Sequence, residues 1–463
     1  MSYSKFSNFK RIHFIGIGGI GMSGIAKLMY ANGYTVSGSD YSQSAIIADL
    51  LSLGIHLFSR HEAENIANVD VVVFSSAIPA DNAELLAARK KNLPILSRAE
   101  MLAELMRFKF GIAVAGTHGK TTTTSIIAHI FETAGLEPTY VIGGVLNSTK
   151  KNAVLGLGEH FIAEADESDA SFLNLSPMLA VVTNIDADHM ETYNNSHEVQ
   201  DQAFLHFLHK LPFYGNAVLY GDNARVKNIL PQLARTVTSY GLTNNNDFYA
   251  KDIQQQGLQT HFTVMRKNIA PLHIKLNLPG THNVLNALAA IAIADLCDIS
   301  DACKVKALES FPGIARRFQV LGGYSINDKN ITIVEDYGHH PTELEVTINS
   351  ARAVFDNKRI VLVFQLHRYS RTKELWHDFI RVLSKADKVI LLDIYSGGEE
   401  PIAGISNAAL ADSMPQVATV ANEDSLLNVL AREVLHDDIV FFGGAGSISK
   451  ICHNTLFKLE QSK

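Results

Sequence analysis

No stretch of this chain constrains its fold as tightly as residues 110–124, which read FGIAVAGTHGKTTTT. Residues 110–115 are apolar and partly β-branched, as in a buried strand, and residues 125–131 carry apolar side chains at helical spacing. Between them Gly116, Thr117, Gly119, Lys120 and Thr121 make a tight turn. Strand, glycine turn and helix in that order form a phosphate cradle. Glycines let backbone N–H groups approach an anion, and the helix N-terminus adds partial positive charge. Lys120 can reach outer phosphates, and the Thr121 hydroxyl can ligate Mg²⁺. The commoner spacing G-x-x-x-x-G-K-S/T would need glycine at position 114, where Val114 stands. The loop is therefore a variant, and the competing reading is a plain Gly/Thr-rich turn.

At 463 residues the chain is long for one core, so two to four domains are expected. Lys and Arg number 40 against 47 Asp and Glu, a net charge of −7, so nothing in the balance suggests a broad nucleic-acid or membrane surface. Any anionic ligand must be held locally. Cys297, Cys303 and Cys452 make no CxxC pair, which fits reduced thiols in a cytoplasm. Lys10 and Arg11 precede the apolar residues 12–30 in the manner of a signal peptide, but five glycines and Lys27 interrupt that run. We expect a cytoplasmic protein with no nucleic-acid or membrane partner.

The chain opens on RIHFIGIGGIGMSGIA. A strand over residues 12–17 leads into Gly16, Gly18 and Gly21, a helix follows to about Ala31, and a strand from Tyr34 ends at Asp40. This is the dinucleotide fingerprint, with an acidic residue about 20 positions on to take a ribose hydroxyl. It implies a pyrophosphate on the helix without saying which nucleotide carries it. Strands over 69–74 and 94–96 end in Ser75-Ser76 and Ser97-Arg98, and polar groups at strand C-ends line the crevice of such sheets. The first domain closes near Arg107.

Beyond the cradle, a strand over 160–163 delivers Glu164, Asp166, Glu167 and Asp169, and one over 179–185 delivers Asp186, Asp188 and His189. Two acidic clusters beside one cradle suit Mg²⁺, although either alone reads as helix capping or a solvated loop. Alternating runs over 248–278 imply antiparallel strands added to the parallel sheet. His282, Asn283 and Asn286 gather at the first turn of the next helix, where they cap it or read a purine edge. FPGIARRF marks a linker, and four further strands ending in polar runs make a third α/β unit. The expected fold class is therefore α/β in three domains: a Rossmann-like domain over 1–107, a central P-loop mononucleotide-binding domain with appended antiparallel strands over 108–312, and a Rossmann-like domain over 313–463.

Taken together, GTHGKTTT, EADESD, TNIDADHM, THNVLNALAA, RRF, EDYGHHPTE and HRYSRT resemble the motifs of the Mur ligases, in order and across essentially the whole chain. GIGGIGMSGIA with VSGSD resembles the branch that adds L-alanine. The resemblance implies ATP-dependent amide synthesis in peptidoglycan assembly. The lactoyl carboxylate of UDP-N-acetylmuramate takes the γ-phosphate of ATP, and L-alanine's amine attacks the acyl phosphate. It implies that Gly116, Thr117, Gly119, Lys120, Thr121 and Thr122 hold the ATP phosphates, with Thr121 and Glu164 on one Mg²⁺ and His189 on a second. His282, Asn283 and Asn286 would surround adenine, Arg317 would meet phosphate and Asp336 the ribose. Tyr337, His339, Arg368 and Arg371 would surround the amino acid and the reacting carboxylate, with His339 assisting deprotonation or only positioning. Gly16, Gly18, Gly21, Ser23, Asp40, His61, Ser75, Ser76 and Arg98 would hold the UDP-sugar.

Some positions depart from the family pattern. Arg60 and Ala315 stand where glycine is usual and Ser370 where threonine is, and the lysine that relatives carbamoylate has no counterpart near Gln200 and Asp201. Rival readings are the recycling ligase that adds a tripeptide to the same sugar nucleotide, a nicotinamide-dependent oxidoreductase, and a non-catalytic nucleotide-binding regulator. The last two leave Lys120, Glu164 and His189 unexplained.

Overall fold

The computed structural model describes residues 9–107, 109–147, 151–267 and 269–461. Its first five strands are β1 (Arg11–Ile15), β2 (Thr35–Ser39), β3 (His56–Phe58), β4 (Val71–Phe74) and β5 (Ile95–Ser97). They form a parallel sheet in the order β3-β2-β1-β4-β5. The order turns back at β1, so the crevice beyond the C-ends of β1 and β4 is the switch point where such sheets bind ligands. Helix Ile20–Ala31 starts there, directly after the glycine loop.

A second sheet contains β6 (Phe110–Ala115), β7 (Thr139–Leu146), β8 (Lys151–Val154), β9 (His160–Glu164), β10 (Leu179–Val182), β11 (Asn216–Tyr220), β12 (Thr236–Gly241), β13 (Phe248–Gln256), β14 (Gln259–Arg266) and β15 (Ile269–Leu276). Their order is β15-β14-β13-β12-β11-β10-β6-β9-β7-β8. β6 lies between β10 and β9, in parallel with both. The cradle strand is thus central, and its residues from Gly111 to Ala115 are buried, matching the expected run residue for residue. The two-residue connections between β13, β14 and β15 can only join antiparallel neighbours, which bears out the appended hairpin strands.

By compactness the chain forms two units. The first runs to Asp252 and adds Phe262–Leu276 and Asn283–Pro312, so it holds the first sheet and most of the second. Close packing of helix Ile20–Ala31 on β8 explains why these two sheets share a unit. A Cβ added at Gly24 would lie 3.0 Å from the Ala153 Cβ, and Asn152 Nδ2 donates to the Ile20 carbonyl at 2.5 Å. Arg98 joins Asp166 at 3.0 Å. The expected boundary after Arg107 abuts residue 108, which lies outside the described residues.

The second unit takes Ile253–His261, Asn277–His282 and Gly313–Lys463. Its sheet contains β16 (Gln319–Ile326), β17 (Lys329–Asp336), β18 (Ile360–His367), β19 (Lys388–Tyr395), β20 (Ala418–Val420) and β21 (Ile439–Gly443), in the order β16-β17-β21-β18-β19-β20. All neighbours are parallel except β16 with β17. Apolar clusters on both faces, around Val361 and Ile390 on one and Leu362 and Leu391 on the other, make it a helix-covered sheet. Among the described residues no helix is long and apolar enough to cross a membrane.

Candidate active site

The phosphate cradle is built from glycines that nothing larger could replace. Gly116 has φ +130°, and a Cβ there would lie 2.0 Å from Thr183 Oγ1. Gly119, with φ +83°, caps helix Lys120–Thr133, and a Cβ on it would meet Asn286 Oδ1 at 2.6 Å. Three residues beyond β10, Thr183, Asn184 and Asp186, hold the loop from the side. His118 N–H donates to Asn184 Oδ1 at 2.9 Å, while Asn184 Nδ2 and Thr183 Oγ1 donate to the His118 carbonyl. Asp186 N–H donates to Thr117 Oγ1 at 2.9 Å. The cradle is therefore preorganised, and its helix N-terminus stays aimed at the space above β6.

Within it, Lys120 Nζ donates to the Gly116 and Thr117 carbonyls at 2.7 and 3.0 Å and pairs with Glu167 at 2.7 Å. Burial disfavours the ammonium, but the carboxylates of Glu167, Glu164 and Asp166 outweigh it and raise the Lys120 pKa. Burial pushes the Glu167 carboxyl up to about 7 against the pull of Lys120. Thr121 Oγ1 donates to Glu164 Oε1 at 2.9 Å, and Glu164 Oε2 accepts from Gly143 N–H at 2.6 Å. Thr122 is buried in the same turn. Asn286 accepts from Thr123 Oγ1 at 3.2 Å and donates to Asn283 Oδ1 at 3.1 Å, so both asparagines lie against the cradle helix.

His189 follows β10 with φ +54°, unusual for a residue with a side chain. Its Nε2 is 3.6 Å from Asp188 Oδ2, and its N–H donates to Asp188 Oδ1 at 2.9 Å. Among the described residues no group of three His, Cys, Asp or Glu side chains is arranged to hold a metal ion. Thr121 and Glu164 are nonetheless paired hard oxygen donors at the mouth of a phosphate loop, the donor type that Mg²⁺ takes while keeping waters and phosphate oxygens.

In the first sheet's crevice, Asp40 accepts from Gly18 N–H at 2.7 Å and Ser42 N–H at 2.8 Å, pinning the glycine loop. A Cβ on Gly18 would lie 2.7 Å from Asp40 Oδ2, and one on Gly21 would lie 3.2 Å from Arg98 Cδ. Gly16 has φ +77° and packs against Ser75, with Ser76 exposed beside it. Ser23 is buried and donates to the Ile20 carbonyl, so it faces its own helix. His61 Nδ1 lies 2.8 Å from both Glu84 Oε2 and Ser39 Oγ, and the exposed Tyr41 sets its edge against the imidazole at 4.4 Å.

The second unit gathers its own set at the C-ends of β17 and β18. The guanidinium groups of Arg316 and Arg317 lie 4.8 and 4.9 Å from the Tyr337 ring centre. Asp336 is buried, which raises its pKa, and it accepts from Phe318 N–H, Gly338 N–H and Thr347 Oγ1. His339 sits edge-on to Tyr337 and His367, with Nδ1 3.3 Å from Glu343. Arg368 has φ +68° and lies 3.5 Å from Glu399, which accepts from Ser370 Oγ at 2.6 Å. Arg371 is buried. Burial lowers the pKa of His282 to about 4, and the charge of Arg317 adds to the effect.

Comparison with known proteins decides the lineage. Residues 11–110 match the Mur ligase family catalytic domain, 114–294 the Mur ligase middle domain, and 316–446 the Mur ligase glutamate ligase domain. The chain belongs to the Mur ligase family. A UDP-N-acetylmuramate–L-alanine ligase of Hydrogenovibrio crunogenus is 48% identical over 450 residues, covering 96% of this chain and 98% of that protein. The crystal structure of the UDP-N-acetylmuramate–alanine ligase of Thermotoga maritima superimposes with a TM-score of 0.83 at 30% identity, over 98% of this chain and all of that one. A murein peptide ligase of Psychrobacter arcticus shares the fold at 23% identity, with a TM-score of 0.73 over 97% and 98% of the two chains.

The structure gives several site residues acidic partners whose pairing the motifs did not reveal. Glu167 holds Lys120, Glu84 holds His61, Glu343 holds His339 and Glu399 holds Arg368. Glu343 had a signal, since the HHPTE string is a capping box in which His340 and Glu343 cap helix Pro341–Val354 reciprocally. Glu167 was visible only as one member of the acidic cluster after residue 163, and Glu84 and Glu399 carried no signal beyond being acidic.

Proposed function

We propose that this Mur ligase joins L-alanine to the lactoyl carboxylate of UDP-N-acetylmuramate at the expense of ATP, forming the amide, ADP and phosphate. The observation that carries this reading is the near-full-length match to a UDP-N-acetylmuramate–L-alanine ligase. The Lys120, Thr121 and Glu164 geometry of the cradle supports it. A carboxylate resists attack by an amine until one of its oxygens becomes a leaving group, and phosphorylation does that.

In this account the amides of residues 116–122 and the Lys120 ammonium hold the β- and γ-phosphates, Lys120 exchanging Glu167 for phosphate oxygens. Thr121 and Glu164 would hold one Mg²⁺ and His189 would serve a second, and a cation held there would supply charge neutralisation for the phosphoryl group. Asn283 and Asn286, with His282, take the adenine. Arg317 meets phosphate and Asp336 the ribose, where Oδ2 keeps one lone pair after accepting from Phe318 N–H. The Gly16, Gly18 and Gly21 loop, with Ser23, Asp40, His61, Ser75, Ser76 and Arg98, takes the UDP-sugar. Arg368 and Arg371 fit a ligand that keeps a free carboxylate. Tyr337 and His339 serve the same ligand, His339 orienting the amine or taking its proton. Parts 1–107, 108–312 and 313–463 then carry separate ligands and close to react, with hinges near Arg107 and residues 311–314. The nucleotide substrates fit a cytoplasmic location.

Isotope transfer tests the acyl phosphate. UDP-N-acetylmuramate labelled with ¹⁸O in its lactoyl carboxylate should yield phosphate carrying one ¹⁸O per turnover. Unlabelled phosphate would exclude carboxylate activation by phosphoryl transfer.

A further inference from the structure

Gln200 is fully buried in the first turn of helix His197–His209, yet every polar atom of its side chain is committed. Arg225 Nη1 donates to Gln200 Oε1 at 2.6 Å. A guanidinium only donates, so the atom facing it is the amide oxygen, and the amide nitrogen must point the other way. There Nε2 donates to the Asp186 carbonyl at 3.0 Å and the Asp188 carbonyl at 3.4 Å. Arg225 is anchored in turn, its Nη2 donating to the His197 carbonyl at 2.8 Å and to Asp201 Oδ1 at 2.5 Å. The amide orientation of Gln200 thus follows from the placement of Arg225.

The held segment has good reason to need holding. His189 keeps a left-handed backbone with φ +54°, a conformation that costs on the order of 1–3 kcal/mol and persists only where the surroundings impose it. On one side Asp186 N–H is fixed to Thr117 Oγ1 of the phosphate loop, and on the other Gln200 takes the carbonyls of Asp186 and Asp188. The segment from Asp186 to His189 is therefore gripped between the phosphate loop and Gln200.

We infer that Gln200 and Arg225 are positioning residues for His189. They impose its backbone conformation and so fix the imidazole in register with the phosphate cradle, without touching substrate or metal themselves. The inference rests on the ligase reading for what His189 serves, but the grip itself can be tested apart from it.

Gln200→Leu keeps the volume and removes both donors, whereas Arg225→Lys keeps the charge and loses the two-nitrogen fork. Hydrogen–deuterium exchange on the protein without metal or nucleotide reads the grip directly. In both variants residues 186–195 should exchange at least about tenfold faster, while residues 110–133 keep the parental rate. In turnover, the Mg²⁺ concentration for half-maximal rate should rise roughly 10- to 100-fold, the usual effect of losing an outer partner of a metal ligand. Unchanged exchange over 186–195 overturns the inference, as does an unchanged Mg²⁺ midpoint. Faster exchange through residues 110–133 as well also overturns it, because Gln200 would then serve core stability alone. A parent enzyme inactive with every acceptor would instead count against the ligase reading, and exchange would still decide the grip.

Discussion

Lys120 Nζ lies 2.7 Å from Glu167 Oε2 and 2.8 Å from Oε1, so the cation of the phosphate loop is paired with a buried carboxylate. Two opposed consequences follow. In the proposed reading Lys120 supplies the charge that phosphoryl transfer needs, so Lys120→Ala should cut phosphate release by about 10²–10³-fold or more. Removing Glu167 takes away the closest partner of a mostly buried ammonium, leaving Glu164, Asp166 and two carbonyls to compensate it, and Glu167→Ala should lose about 1–3 kcal/mol in urea unfolding. Full activity in the first variant, or parental stability in the second, would contradict these roles.

Gly116 cannot accept a side chain where it stands. Its φ is +130° and an added Cβ would lie 2.0 Å from Thr183 Oγ1, so the loop must shift. Gly116→Ala should cost about 1–3 kcal/mol of stability. It should also abolish ATP binding in calorimetry, because the cradle amides lose their common aim. Parental ATP affinity would show that the loop does not depend on this geometry.

The proposed reading gives Arg371 to the amino acid, not to ATP. A hydrogen bond to a charged group is worth about 1.5–3 kcal/mol, so Arg371→Ala should raise the KM for L-alanine roughly 10- to 100-fold. The KM for ATP should move less than about twofold. A matched rise in both would place Arg371 elsewhere.

His282 makes stability depend on pH. Its pKa is near 4 when folded and near 6.5 in an unfolded chain, so between those values the unfolded state binds more protons. Stability from this residue is complete above pH 6.5 and is lost as pH falls toward 4, by at most about 3 kcal/mol. Urea unfolding at pH 5 and pH 7.5 should show a smaller difference for His282→Gln than for the parent. An equal difference would contradict the assignment.

Much of the fold was legible because its strands are central and apolar. Phe110–Ala115 could be read to the residue, since burial on both faces requires an unbroken apolar run. His56–Phe58 and Ala418–Val420 are three-residue edge strands with no periodicity to read. Gln319–Ile326 was hidden behind the linker reading, because Gly322 and Gly323 interrupt its alternation where a bulge shifts the register. The strand expected over 179–185 leaves the ladder at Val182, and Thr183 and Asn184 turn aside to hold the phosphate loop.

The site was legible where a motif carries its own mechanics, as with Lys120 and Thr121. Partners that act only through a fold could not be seen. Glu84 sits in AELLAARK like any helix-surface glutamate, yet it is buried and accepts from Asn65 and Ser39 and pairs with His13 and His61. Gln200 is equally silent until Arg225 is placed against it.

Phosphate release with ATP, Mg²⁺ and UDP-N-acetylmuramate, comparing L-alanine, other amino acids, the L-Ala-D-Glu-containing tripeptide and no acceptor, tests the central claim most directly. The account predicts turnover that requires both the sugar nucleotide and L-alanine. Turnover with the tripeptide alone, or none with any acceptor while ATP still binds, would contradict it.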